Sequence, residues 1–323
     1  MTLMLYSQST DGQIHQKLWM EGNAIAEHTI WLDLFAPTQA EEVAVEAYLG
    51  MDIPTREEMR EIEVSNRLYV ESGHLFMTAT LMANFDIAAP ENHAATFIVS
   101  DQHLVTVRYV DPAPFRMYPQ RLLKNEDGIT NGYGVFVGLI EAVINRAADI
   151  LEITTIKADS IAKEIFITAP GGKAPDHQKT LVLIGQCGDV SSKVRESLTT
   201  LWRVIAYAQQ NAKLCTAELQ ASMAAHAKDI SALSDHAAFI SSKVSFLLDA
   251  TLGMINIAQN NIIRIFSIAA VLFLPPTLVA SIYGMNFHHM PELDWKLGYP
   301  LALGLMVLAA VLPILYFRYR KWI

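Results

Sequence analysis

Residues 265–283 read IFSIAAVLFLPPTLVASIY, with no charged side chain, and Gly284-Met285-Asn286-Phe287 follows directly. A second uncharged run covers 299–317, after a short and more polar stretch at 285–298. Each run holds about 19 residues, close to the roughly 20 that cross a hydrocarbon core of about 30 Å. The pattern predicts a membrane hairpin, with the Gly-Met-Asn triplet where the first span meets water.

The basic residues set its orientation. Arg318, Arg320 and Lys321 follow the second run, whereas the inter-span loop offers Lys296 against Glu292 and Asp294. The positive-inside bias therefore puts the tail in the cytoplasm and the loop outside. With two spans, everything before the first is cytoplasmic too. Residues 1–13 lack the basic and apolar regions of a secretion signal, in keeping with an inner-membrane protein whose two termini are cytoplasmic.

Composition narrows the function. Of 24 basic and 33 acidic residues, five and two lie from Arg264 onward, leaving 19 against 31 before it, a net charge near −12. Such a surface has no basic stripe for phosphates, which excludes nucleic acid as a partner. Excess carboxylate suits cations, and equally suits plain solubility. Cys187 and Cys215 form no disulfide framework and read as buried thiols. Gly171-Gly172-Lys173 lacks the strand and spacing of a phosphate loop, and no nucleophile or catalytic metal pattern stands out, so an enzyme is not expected.

Along the chain, 30–35 is a strand candidate, and Thr38 with Glu41 and Thr55 with Glu58 fit capping boxes, the second before a short charged helix. Segments 67–70 and 75–82 flank Ser72-Gly73, and 95–99 and 104–110 flank 100–102, two hairpin signals. A mostly antiparallel sheet with helices around it follows. Residues 135–166 and 181–211 carry helical patterns separated by a Pro/Gly breaker at 168–177, which predicts an antiparallel helix pair. Then Ile230, Leu233, Ala237, Ile240, Val244, Leu247, Thr251, Met254 and Ala258 recur at alternating steps of three and four, the seam of a helix packed on others. That seam fits a core within the chain and an intersubunit coil alike. Continuity predicts one helix over 241–283, roughly 65 Å at about 1.5 Å per residue.

The expected fold is an α+β cytosolic domain with long stalk helices and two C-terminal transmembrane helices. Its parts are a cytosolic α/β domain (1–130), a long-helix region (131–239), a stalk helix continuing into the first span (240–284), an external loop (285–298), the second span (299–317) and a basic tail (318–323).

Two apolar helices cannot wall an aqueous path, so a hairpin that does more than anchor requires several copies around an axis. One stripe of the first span, Asn260, Ile263, Ser267, Ala270, Leu274, Thr277 and Ser281, repeats at three and four. Its polar members suit a cation and its Ile and Leu suit a dewetting gate. Small and hydroxylated residues also let spans pack closely, and periodicity does not separate the two readings. Pro275-Pro276 removes backbone hydrogen bonds and is expected to bend or loosen the span.

Gly284-Met285-Asn286, followed by Met290-Pro291-Glu292-Leu293, resembles the signature of the CorA family of divalent-cation transporters. Residues 273–281, Trp295, Gly298-Tyr299-Pro300, the basic tail and stalk residues 249–260 are similar to the same family; upstream, Thr55-Arg56, Glu58, Ile62-Glu63, Ser65 and Arg67 resemble it with less specificity. The resemblance implies a funnel-shaped homopentamer in the bacterial inner membrane, in contact with the lipid bilayer and with divalent cations. Mg²⁺ would be both substrate and regulatory ligand, Co²⁺ and Ni²⁺ further substrates, and there would be no covalent cofactor. Gly284, Met285 and Asn286 would ring the external mouth, with the Asn286 side-chain carbonyl and the Gly284 backbone carbonyl meeting the ion's water shell. Asn260, Ile263, Leu274 and Thr277 match the family's pore-facing places, beside Ser267 and Ser281 on the same stripe. Hydrated Mg²⁺ gives up water reluctantly, so a neutral hydrogen-bonding ring suits it.

Two departures stand out. His288-His289 occupies a place where relatives often carry an acidic residue, although Glu292 and Asp294 remain in the loop. Ala225 stands where a regulatory carboxylate is sought, which leaves Asp229, Asp235 and Asp249 as candidate regulatory ligands, with Glu218 also near. The favoured function is channel-like Mg²⁺ uptake driven by membrane potential and gated by cytosolic Mg²⁺. The alternatives are a zinc transporter of the same superfamily, coupled to protons or not, and a membrane-tethered sensor or scaffold without transport.

Overall fold

The computed structural model describes all residues except 1, 10–11, 86–89, 126–127, 167–175, 212–215, 287, 289, 292–293 and 321–323. The chain divides into two units, Met1–Leu248 and Asp249–Ile323.

In the first unit, β1 (Thr2–Gln8), β2 (Ile14–Leu18), β3 (Thr29–Phe35), β4 (Leu68–Glu71), β5 (His74–Ala83), β6 (Glu91–Val99) and β7 (Leu104–Arg108) form one sheet of order β2-β1-β3-β7-β6-β5-β4. All neighbours are antiparallel except β3 and β7. The two expected hairpins are β4–β5 and β6–β7. Ser72 and Gly73 turn the first with φ of 49° and 82°, the left-handed pair that matches strand twist.

Successive strand residues point to opposite faces, and the sheet feeds two cores. Trp31, Met77, Phe97 and Val99 belong to one, and Leu32, Leu34, Phe76, Ile98 and Val105 to the other. Helix α1 (Gln39–Leu49) covers the second core through Val45, and the expected capping box of Thr38 and Glu41 starts it. The box of Thr55 and Glu58 also forms, but it opens a single 3₁₀ turn, Glu58–Arg60, rather than a helix. A one-turn helix α2 (Val64–Arg67) precedes β4.

The first core is closed by α3 (Ala113–Lys124), α4 (Gly132–Phe166) and α5 (His177–Gln210). Tyr133 at the start of α4 donates from its hydroxyl to the Ala208 carbonyl near the end of α5, 3.3 Å, so the pair is antiparallel as expected. The breaker between them lies outside the described residues, apart from Asp176, which caps α5, and His177, which starts it.

The last helix of this unit differs from expectation in its start. α6 spans Ala217–Tyr283, beginning well before residue 241. The added stretch is alanine-rich and free of glycine and proline, so it propagates helix, and the apolar seam from Ile230 already runs through its second half. Ile230, Ala237 and Ile240 join the first core, with Leu233 and Val244 packed against it, so this part of the seam serves the chain's own interior. The structure thus selects the intramolecular reading for these positions.

Sequence reasoning passed over β1, β2 and α3. Only Ile14 of β2 is buried, so that edge strand shows no alternation, and Pro119 inside α3 reads as a breaker. Cys187 is buried, which pushes its thiol pKa up; Cys215 lies outside the described residues.

Candidate ion-conduction site

The second unit holds two helical stretches, the C-terminal part of α6 and α7 (Gly298–Tyr319). Both are long and apolar enough to cross a membrane. α6 runs through Pro275 and Pro276 as continuous helix. The prolines withhold the amide protons that the Val271 and Leu272 carbonyls would accept.

Burial separates two faces of α6. Ile268, Leu272, Pro275, Pro276, Val279 and Tyr283 are partly shielded, as are Met306, Ala309, Pro313 and Phe317 on α7, where Gly298 and Ala302 are buried. The shielded positions fall on one face of each helix, and on α7 that face carries glycine and alanine. At 3.6 residues per turn, the stripe of Asn260, Ile263, Ser267, Ala270, Leu274, Thr277 and Ser281 lies on the opposite side of α6. All seven are exposed, Ile263 by 61% and Leu274 by 68%. Packing against the second span does not account for the stripe.

Thr277 donates its hydroxyl to the Phe273 carbonyl, 2.7 Å, one turn earlier. Its proton is thereby committed to the helix, and its oxygen keeps acceptor capacity toward the exposed side. Such an oxygen suits the donor waters around a cation. A hydroxyl four residues after a carbonyl whose neighbours lose their donors to proline is a pattern visible in the sequence, and sequence reasoning had not used it.

At the end of α6, Gly284 N–H donates to Ala280 O at 2.9 Å and Met285 N–H to Ile282 O at 3.3 Å, and Asn286 stands beyond the helix. A Cβ on Gly284 would come within 3.1 Å of Ala280 O, so glycine fits this turn most closely. The triplet sits at a helix C-terminus, where unpaired carbonyls and the macrodipole give a partial negative charge. Met285 and Asn286 are exposed there, as are His288 and Asp294, whereas His289 and Glu292 lie outside the described residues.

The candidate regulatory carboxylates are not brought together. Asp229, Asp235 and Asp249 are all exposed on α6, and the outer two are about 30 Å apart along it at about 1.5 Å per residue. Among the described residues, no three His, Cys, Asp or Glu converge to hold a metal ion.

Comparison with known proteins agrees with this geometry. The sequence model of the CorA-like Mg²⁺ transporter protein family matches residues 26–320. The chain is 33% identical over 307 residues to the magnesium transport protein CorA of Escherichia coli K12, covering 95% of this chain and 96% of that one. It is 34% identical over 294 residues to magnesium transport protein CorA of Salmonella typhimurium LT2, covering 91% and 92%. Its fold is similar to the complete CorA magnesium transporter of Methanocaldococcus jannaschii, with a TM-score of 0.78 at 16% identity, covering 100% of this chain and 99% of that one. With a family match across most of its length and relatives above 30% identity along nearly all of it, this chain belongs to the CorA family, a family of transporters and not of enzymes.

Proposed function

We propose that the chain assembles as a homopentamer and conducts Mg²⁺, with Co²⁺ and Ni²⁺ as further substrates, into the cytoplasm across the bacterial inner membrane. The observation that carries this reading is the exposed stripe of α6, opposite its shielded face and ending at Gly284-Met285-Asn286. A lone hairpin has no use for hydroxyl and amide groups on the side its partner helix leaves open, whereas copies around an axis would turn them toward a water-filled path. Asn260, Ser267, Thr277 and Ser281 would meet the hydrated ion, Ile263 and Leu274 would form dry constrictions, and the triplet would select at the mouth. His288, His289, Glu292 and Asp294 would attract cations to that mouth. The driving force is the inside-negative potential, about 2.3 kcal/mol per charge per 100 mV and twice that for a divalent ion. Cytosolic Mg²⁺ would close the pore by binding between subunits, with Asp229, Asp235 and Asp249 as candidate ligands.

Ion flux into proteoliposomes tests the proposal. Mg²⁺ entry that follows an imposed potential, ignores a proton gradient and falls when Mg²⁺ is raised on the cytosolic side is the expected result. Zinc entry that needs a proton gradient, or no flux of any ion, would overturn it.

A further inference from the structure

His103 is 8% exposed, and neither of its ring nitrogens has a hydrogen-bond partner. A neutral imidazole carries one donor and one acceptor, and buried groups of this kind are normally paired. The ring is flanked instead by Tyr48, with centroids 5.5 Å apart, and by His74, 5.7 Å apart with the planes at 36°. His74 Nδ1 lies 3.2 Å from the Ser72 carbonyl. A carbonyl only accepts, so Nδ1 holds the proton and Nε2 keeps its lone pair. This backbone bond to the second nitrogen is the usual support of a metal-ligating histidine.

We propose that His74 and His103 together bind a borderline-soft divalent ion, Zn²⁺, Ni²⁺ or Co²⁺, in the soluble unit. Two imidazoles that each bind one ion at about 2.0–2.1 Å place their ring centres about 5–6 Å apart, the separation found here. His103 lines an open cleft of about 930 Å³ whose walls include Glu27 and Asp101. Those carboxylates favour cations over anions. Nitrogen ligands select against Mg²⁺, which takes oxygen. No third His, Cys, Asp or Glu closes on the pair among the described residues, so water completes the shell and the ion exchanges readily. The site is thus distinct in place and in chemistry from the proposed conduction path, and does not rest on it.

The test is Ni²⁺ titration of the purified full-length chain by calorimetry, with melting temperature as a second readout. The wild type is expected to bind one Ni²⁺ per chain at this site and to melt higher with the ion present. His74→Gln and His103→Gln should each weaken that binding tenfold or more and abolish the Ni²⁺-dependent rise in melting. A variant with His288→Gln and His289→Gln together should retain it, and Mg²⁺ should not compete. His74 lies half-exposed at the start of β5, so His74→Gln keeps the test decisive if His103→Gln does not fold. Unchanged Ni²⁺ affinity in His74→Gln, or no binding by the wild type, would reduce the pair to stacked neutral imidazoles and overturn the proposal.

Discussion

Replacing Asp33 with alanine probes what holds the soluble unit together. The Asp33 carboxylate accepts from Arg108 Nε at 3.1 Å and Nη2 at 2.9 Å, and from Thr106 Oγ1 at 2.7 Å. Thr106 in turn accepts from Trp31 Nε1 at 3.0 Å, which ties the network to the largest side chain of the core. Arg108 is 5% exposed, and its guanidinium lies 4.5 Å and 4.7 Å from the ring centres of Phe35 and Phe115. After Asp33→Ala, Nη1 keeps the Val110 carbonyl at 2.9 Å and Asp111 Oδ1 at 2.8 Å, but Nε and Nη2 lose their acceptor inside the protein. Breaking a buried pair in this way costs about 3–5 kcal/mol, because two buried donors of a charged group lose their acceptor even though Asp111 still balances part of its charge. At about 2–4 °C per kcal/mol for a unit of this size, the melting temperature should fall by about 6–20 °C. Thermal unfolding of the full chain in detergent, followed by circular dichroism, reads this directly. Asp33→Leu combined with Arg108→Met should recover most of the loss, since the apolar pair carries no desolvation cost. An unchanged melting temperature in Asp33→Ala would refute the reasoning.

The conduction site and the buried histidine yield further outcomes. Asn286→Ala should abolish Mg²⁺ flux in proteoliposomes without changing assembly by size-exclusion chromatography; wild-type flux would remove the triplet from the mechanism. Leu274→Gly should raise closed-state conductance, because an exposed apolar constriction is lost; equal leak in both proteins would argue against a gate there. His103 has a folded pKa near 4 against an ordinary value of 6.5. Between these values the unfolded chain binds a proton that the folded one refuses, so the contribution is complete above about 6.5 and lost as pH falls toward 4. His103→Gln should flatten the decline in urea midpoint across that window, and an identical slope in both proteins would contradict the assignment.

Much of this architecture was legible in local pattern. The uncharged runs at 265–283 and 299–317, the turn at Ser72-Gly73, the capping box at Thr38 and the three-four seam from Ile230 each follow from rules acting over a few residues. The Gly284-Met285-Asn286 signature carried the family in the same way. What pattern could not supply depended on partners distant in the chain. The seam at Ile230, Ala237 and Ile240 fits an intersubunit coil equally well until the helices it packs on, α4 and α5, are placed beneath it. β2 shows one buried residue, so its membership in the sheet is set by pairing with β1 rather than by its own alternation. Asp33, Thr106 and Arg108 are unremarkable polar residues in apolar strands until the parallel register of β3 and β7 sets Asp33 against Thr106. His74 and His103 are likewise two scattered histidines until the sheet brings their rings to 5.7 Å. In the first span, periodicity identified the stripe, but two uses remained open. The structure leaves the stripe exposed and shields the other face, and only tertiary packing decides that, because a helix has no means of declaring in its own sequence which of its sides a neighbour will occupy.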